Sequence, residues 1–282
     1  MDKILNHLNL EQYRQEEALR LHYDEKALEY SSLPDQYLED ILSCISTASH
    51  KSILDIGCGH GNLVFNILEK YNPQKIIGID ISDEILNIAR NRVGEKGLNN
   101  CEFIAASSNR LPFKDQSFDI IVSNMVFHHI VDKEKAFTEI IRVAKDDGLV
   151  IIQCYGGDTF LPEFFSIIHD SWRKVFPKSK PPDICYPLYF SDLASILPRI
   201  GIQEYDVGLY RNIAKIGNND IEQWLNYFDI VAGHWLYNLD KKVKTKIQSL
   251  IRRQIEIIIH KVGYFQITKT RMLLKFRAIS KN

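Results

Sequence analysis

The sequence predicts an α/β fold, a doubly wound parallel sheet with helices on both faces, and three observations carry that prediction. Five short runs are apolar along their whole length, as strands buried on both faces are. Stretches with helical periodicity separate them, which is the alternation of βα units. The first run ends in Gly57-Cys-Gly-His-Gly61, a glycine loop that lets backbone approach a ligand at the carboxyl edge of such a sheet. A chain of 282 residues that is 45% hydrophobic can bury the core this fold needs, and that apolar content excludes intrinsic disorder.

The elements follow in order. Leu10 to Leu21 is rich in good helix formers, and Pro34 ends this first helical region. A second helix is expected from Asp35 to about Ser46, with Pro34 suited to its start. Ser52–Ile56 is the first strand, Asn62–Lys70 a helix, and Lys75–Asp80 the second strand. Ser82 is a candidate N-cap for a helix to about Val93. Glu102–Ala106, Phe118–Asn124 and Leu149–Cys154 complete the five strands, with a helix at Lys133–Ala144 between the last two. Beyond Cys154 the expected elements are a helix at Glu163–Val175, a Pro-rich loop at 177–182, a helix at Ser191–Ile200 and a strand at Gln203–Tyr210. An insertion from about Asn212 follows. It holds an aromatic helix with Trp224, Tyr227, Phe228, Trp235 and Tyr237, then a long helix with Val243, Ile247, Ile251, Ile255 and Val262 on one stripe. Gln266–Ile279 closes the chain as a strand in which Met272, Leu274, Phe276 and Ala278 alternate with Arg271, Leu273, Lys275 and Arg277.

The formal charge of −1 hides an asymmetry, because residues 241–282 carry 12 Lys or Arg against the single acid Glu256. Such a segment is either a nucleic-acid footprint or the basic coat of one helix and one strand, and the second is the expectation. No run approaches the length of a membrane span, and the start, Met1 to Leu10, is polar. The five cysteines, Cys44, Cys58, Cys101, Cys154 and Cys185, contain no C-x-x-C pair, so neither a disulfide framework nor a zinc site is expected. A reducing, cytoplasmic setting without a membrane is the expectation.

The glycine spacing is G-x-G-x-G, and Asp80 ends the next strand, where an ionised carboxylate can accept two hydrogen bonds from ribose hydroxyls. Asp55-Ile-Gly-Cys-Gly-His-Gly61, Gly78-Ile-Asp80, Leu111-Pro-Phe113, Phe118–Asn124, His128-His129 and Arg142-Val-Ala-Lys-Asp-Asp-Gly148 together resemble the class I S-adenosylmethionine-dependent methyltransferases, in the family's order, over about residues 51–155. The resemblance implies a Rossmann-like sheet, mostly parallel with an antiparallel last strand, plus helical lid insertions. It implies one domain over 1–282, with N-terminal helices in 1–50, a core in 51–157, 188–212 and 263–282, and lids in 158–187 and 213–262.

It also implies S-adenosylmethionine as the methyl donor and S-adenosylhomocysteine as the product. Asp55 would face the donor's amino group, Gly57, Cys58 and Gly59 would lie against it, Asp80 would take the ribose diol, and Ile81 would pack on adenine. Asn124 would sit beside the methionine part. The position at which many relatives place an adenine-binding Asp falls at Ser107, so Ser107 or Ser108 is the expected adenine contact. His128 and His129 are candidates for a general base near neutral pH, with packing at a helix start as the competing reading. Tyr23, Trp224, Tyr227, His234 and Trp235 are the expected substrate pocket, which aromatics packed as lid core would also explain.

Absences narrow the acceptor. Ser123-Asn-Met-Val lacks the Pro-Pro box of adenine and glutamine methylases, Cys154 lacks the context of a cytosine nucleophile, and no aspartate cluster suggests a metal. A small organic acceptor is the leading expectation. The alternatives are an RNA or protein methyltransferase using the basic end, and a protein that binds S-adenosylmethionine without turnover. A nicotinamide oxidoreductase is excluded, because Tyr71-Asn-Pro-Gln-Lys75 contains Pro and precedes the second strand. The acceptor, the methylated element and the oligomeric state are not legible.

Overall fold

A computed structural model of the chain describes residues 2–33, 37–46, 48–156, 161–181, 183 and 185–279, with side chains from Arg14 onward. The expected break at Pro34 and helix start at Asp35 lie outside those residues. Helix α1 (Asp2–Glu25) and the short α2 (Ala27–Ser31) precede α3 (Leu38–Cys44). Then come β1 (Ser52–Ile56), α4 (Asn62–Tyr71), β2 (Lys75–Asp80), α5 (Asp83–Lys96), β3 (Cys101–Ala105), β4 (Phe118–Asn124), α6 (Lys133–Val143) and β5 (Ala144–Tyr155). Ser82 caps α5 as its sequence suggests, its hydroxyl accepting from the Ile85 N–H at 3.2 Å. Helices α7 (Pro162–Val175) and α8 (Phe190–Arg199) lead to β6 (Tyr205–Ile216), α9 (Ile221–Ala232), α10 (Lys241–Val262) and β7 (Phe265–Arg277).

The seven strands lie in the order β3-β2-β1-β4-β5-β7-β6. β1 to β5 are mutually parallel and β7 runs antiparallel to both neighbours. The chain leaves β1 toward β3 and returns beyond it to β4, so the sheet's direction of growth reverses between β1 and β4. Ligands of open α/β sheets bind at such a crevice. One face packs on α3, α4 and α5 through Ile41, Ile67 and Leu86, and the other on α6 and α8 through Phe137, Ile140 and Leu193. A third apolar cluster, through Phe164, Trp224 and Ile247, joins α7, α9 and α10 to the end of β7.

Several expectations need correction past Cys154. β6 runs to Ile216, because it pairs with β7 residue for residue from Tyr205↔Phe276 to Ile216↔Phe265, so the second insertion starts later than 213. Helix α9 ends at Ala232, which leaves Trp235 on a 3₁₀ turn, Gly233–Leu236, with Tyr237 after it. The buried stripe of α10 is Ile247, Ile251, Ile255 and Ile259, four residues apart, whereas Val262 in the last turn is 61% exposed.

The polar side of β7 is not uniformly solvated either. Arg271 is 6% exposed, with its guanidinium 3.7 Å from the Tyr37 ring and 4.9 Å from that of Tyr210. It donates to Asp40 and Gln153. Helix α3 covers this face, and that contact turns an alternation residue into an anchor. Arg271→Met is expected to lower stability by about 2 kcal/mol in urea unfolding, because it unpairs Gln153 and Asp40.

Four cations of the basic end pair with acids that precede it in the sequence. Arg252 pairs with Glu222, Arg271 with Asp40, Lys275 with Asp206 at 3.0 Å and Arg277 with Asp147 at 3.5 Å. Among the described residues no helix is long and apolar enough to cross a membrane.

Candidate active site

Asp55 lies in β1 directly before the switch-point crevice and is 1% exposed. Neither of its carboxylate oxygens has a hydrogen-bond partner among the described residues. Burial, with Asp80 adding repulsion, pushes its pKa up to about 8. The chain then turns sharply. Gly57 and Cys58 donate their N–H groups to the Ile79 carbonyl at 2.7 and 2.9 Å, which ties the loop to the end of β2.

Asp80 is braced from two sides. Gly59 N–H donates to Oδ2 and Ser82 N–H to Oδ1, both at 3.0 Å. Each oxygen keeps a second lone pair for a ligand. Its pKa is nevertheless raised, because burial outweighs these backbone bonds.

Two adjoining cavities open along this edge, of about 830 and 1230 Å³ with their mouths included. Asp80, Ile81, Ala106, Ser108 and Asn109 line the smaller one. Asp55, Cys58, Asn124, His128, Tyr155 and Lys269 are among those lining the larger. Tyr23, Tyr30, Gly57, Gly59, Met125 and His129 line both, so the two spaces meet at these residues. Ser107 does not reach the smaller cavity; its hydroxyl accepts from Asn109 N–H at 3.3 Å and shapes the turn. Asn109, which the sequence reading passed over, has a buried Oδ1 with no partner among the described residues. The signal was available, since Asn109 follows the two serines in the same loop.

The N-terminal helix roofs the larger space. Tyr23 donates its hydroxyl to the Val231 carbonyl of α9 at 2.8 Å, and the neighbouring His22 Nε2 lies 3.0 Å from the Ile230 carbonyl. Trp224 and Tyr227 of α9 reach the cavity. Trp235 does not; it packs in the lid, its ring 6.2 Å from that of Trp172. His234 lines neither cavity but sits 5.4 Å, ring to ring, from His129.

His128 and His129 occupy a 3₁₀ turn (Phe127–His129) after β4, their rings 4.2 Å apart. His128 Nδ1 accepts from Tyr155 N–H at 3.4 Å. His129 Nε2 is 3.3 Å from the Tyr23 hydroxyl, whose own proton goes to Val231. His129 therefore donates through Nε2, and its Nδ1 carries a lone pair with no partner among the described residues. Burial holds both rings neutral, His128 down to about 3 and His129 well below the ordinary range. Burial disfavours the charged form of both, and the neighbours push the same way, Lys133 and His234 at His128, and His128 and His22 at His129.

The profile of a methyltransferase domain matches residues 47–184. An uncharacterized methyltransferase of Bacillus subtilis (strain 168) is 35% identical over 130 residues, which are 44% of this chain and 48% of that protein. A demethylmenaquinone methyltransferase of Lactococcus lactis is 36% identical over 101 residues, 36% of this chain and 40% of that protein. Norajmaline N-methyltransferase of Rauvolfia serpentina is 33% identical over 146 residues, 51% of this chain and 48% of that protein. The chain thus spans about half the length of these curated relatives or less. The crystal structure of the Bacillus subtilis protein superposes with a TM-score of 0.60 at 20% identity, covering 86% of this chain and 98% of that one, which shows the shared fold. With the switch-point sheet, the glycine turn and the paired acids at its edge, residues 47–184 form a methyltransferase domain of the class I S-adenosylmethionine-dependent family.

Proposed function

We propose that this protein transfers the methyl group of S-adenosylmethionine to a small organic acceptor held between the carboxyl edge of the sheet and the roof of α1 and α9. The observation that carries the reading is the larger cavity. It adjoins the Asp80 cavity, is walled by aromatic side chains, and is roofed by α1, which Tyr23 and His22 tie to α9.

The residues fit the donor. Asp55 presents to an ammonium two buried oxygens with no partner among the described residues. Asp80 offers braced oxygens to ribose hydroxyls, and Gly57 and Gly59 line both cavities beside it. Ile81, Ser108 and Asn109 wall the adenine side. When bound, S-adenosylmethionine supplies a methyl carbon activated by its sulfonium for in-line displacement. The protein's share is to hold the acceptor, exclude water, and take a proton where the acceptor must lose one. His129 Nδ1 suits that last task, since Tyr23 fixes the ring and its tautomer.

The relatives named above as a demethylmenaquinone and a norajmaline methyltransferase support a small acceptor. The pairing of Arg252, Arg271, Lys275 and Arg277 with acids elsewhere in the chain takes four cations of the basic end out of a possible RNA footprint.

The test is incubation with labelled S-adenosylmethionine alongside metabolite, RNA and protein fractions. Label in the low-mass fraction is expected, and label confined to RNA or protein would overturn the reading. For an acceptor that loses a proton, His129→Ala is expected to lower kcat about 100-fold. Because burial keeps His129 unprotonated, kcat at saturating S-adenosylmethionine should stay level between pH 6.5 and 8.5 rather than fall toward acid.

A further inference from the structure

The strands β5 and β7 part company above the sheet. Their ladder ends at Tyr155↔Arg271, while β7 continues toward Phe265 paired with β6. Lys269 therefore stands past the last rung shared with β5, on the same side of β7 as Ile267 and Arg271. Ile267 is buried in the lid core and Arg271 is held by Asp40 and Gln153, but Lys269 between them lines the larger cavity.

Among the described residues lining that cavity Lys269 is the one amine, and no carboxylate or hydrogen-bond acceptor among the described residues engages it. Its neighbour is the face of Tyr227, 4.9 Å from Nζ to the ring centroid. Burial lowers its pKa, and no acid nearby acts in the other direction. A desolvated ammonium without a counter-ion is costly, so a ligand that supplies the anion gains what the protein leaves out. The same cavity is walled by the aromatic rings of Trp224, Phe228 and Phe165. Asp55, the carboxylate of this cavity, is taken by the ammonium of the methyl donor in the reading above.

We propose that Lys269 binds a carboxylate of the methyl acceptor, so that the acceptor is an organic acid with a flat, unsaturated body. The inference rests on the small-molecule reading of the previous section and specifies its substrate class. Lys269 recognises the acceptor, and the aromatic wall, with Tyr227 beneath the amine, sets how far the acid group lies from the reacting centre.

The test pairs an acid with its neutral isostere. Fluorescence or calorimetric titration of 2-naphthoate, indole-3-carboxylate and benzoate, each against its primary amide, is made on protein saturated with S-adenosylhomocysteine. The acids are expected to bind at least tenfold more tightly than the amides. Lys269→Met should remove that preference while keeping the affinity for S-adenosylhomocysteine, and Lys269→Arg should restore most of it. Equal binding of acid and amide, no binding of any acid, or a preference that survives in Lys269→Met would overturn the proposal. In the labelled-donor experiment, methylation of neutral or cationic small molecules alone would refute Lys269's role and leave the small-acceptor reading standing. Label confined to RNA or protein would refute both.

Discussion

Replacing Asp55 by asparagine is expected to make the ligand-free protein more stable at pH 8 and its S-adenosylmethionine complex about 10- to 100-fold weaker. Both effects follow from one buried carboxylate with no hydrogen-bond partner among the described residues. In the unfolded chain its pKa is ordinary, near 3.9. In the folded protein burial and Asp80 push it up to about 8. Between those values the folded state holds a proton that the unfolded state has released, so stability falls as pH rises through this window. The penalty is absent below about pH 4 and complete above about pH 8. Asparagine carries no charge, so the gain in melting temperature should grow from pH 5 to pH 8 and then level off, with about 1–3 kcal/mol at the plateau after local relaxation.

Binding responds in the opposite sense. The donor's ammonium needs the ionised carboxylate, and losing that charge-assisted bond costs about 1.5–3 kcal/mol. In the wild type, binding at pH 7 should release a proton from Asp55, which calorimetry in two buffers of different ionisation enthalpy detects. Affinity should rise from pH 6 to pH 8, and the asparagine variant should lose that rise. Thermal melts and titrations on the same two proteins decide the matter, and a variant that binds the donor within twofold of wild type would remove Asp55 from the cofactor site.

The second large effect is steric. Gly57 has φ +70, and a Cβ placed on it would lie 2.2 Å from Val126 Cγ2 and 2.6 Å from Cγ1. Val126 belongs to the loop after β4, directly before the turn that carries His128 and His129. Accommodating a methyl group here means moving that loop, not merely rotating a side chain. The left-handed backbone costs a non-glycine residue about 1–2 kcal/mol, and overpacking adds about 1–3 kcal/mol. Gly57→Ala is therefore expected to lose about 3 kcal/mol in urea unfolding, with the slope of the transition unchanged. It should weaken S-adenosylmethionine binding as well. Adding Val126→Ala should return the part of the packing loss due to the two Cγ atoms and leave the backbone part and the contact with the 126 Cβ at 2.8 Å, a non-additivity that a double-mutant cycle reads directly. A Gly57→Ala protein as stable as the parent would contradict the packing of Val126 onto this turn.

How much of this was legible in the sequence varies with the range of the interaction. The N-cap at Ser82, the strands to Cys154 and the glycine turn rest on neighbours within a few residues, and the structure reproduces them closely. Asp55 and Asp80 were placed at strand ends by motif alone, and both lie at the switch-point edge. Ser107 shows the limit of that method. Alignment to a motif selects a position, but whether the side chain at that position faces a ligand or its own turn depends on how the loop closes. Here Ser107 turns inward to Asn109 N–H, and Ser108 and Asn109 face the cavity.

By itself, then, the sequence determined the α/β order, the glycine turn and the two acids at its edge, because apolar runs and glycine spacing are local properties. Tertiary structure alone decided that Tyr23 meets Val231 and His129, 208 and 106 residues away, that Trp224 and not Trp235 reaches the cavity, and which cations of the basic end are spent on partners. Arg271 and Lys269 make the point, being two residues apart on one strand with the same charge and the same parity. Whether an acid from a distant helix covers a cation is a matter of packing, and so one became a structural anchor and the other was left facing the acceptor cavity.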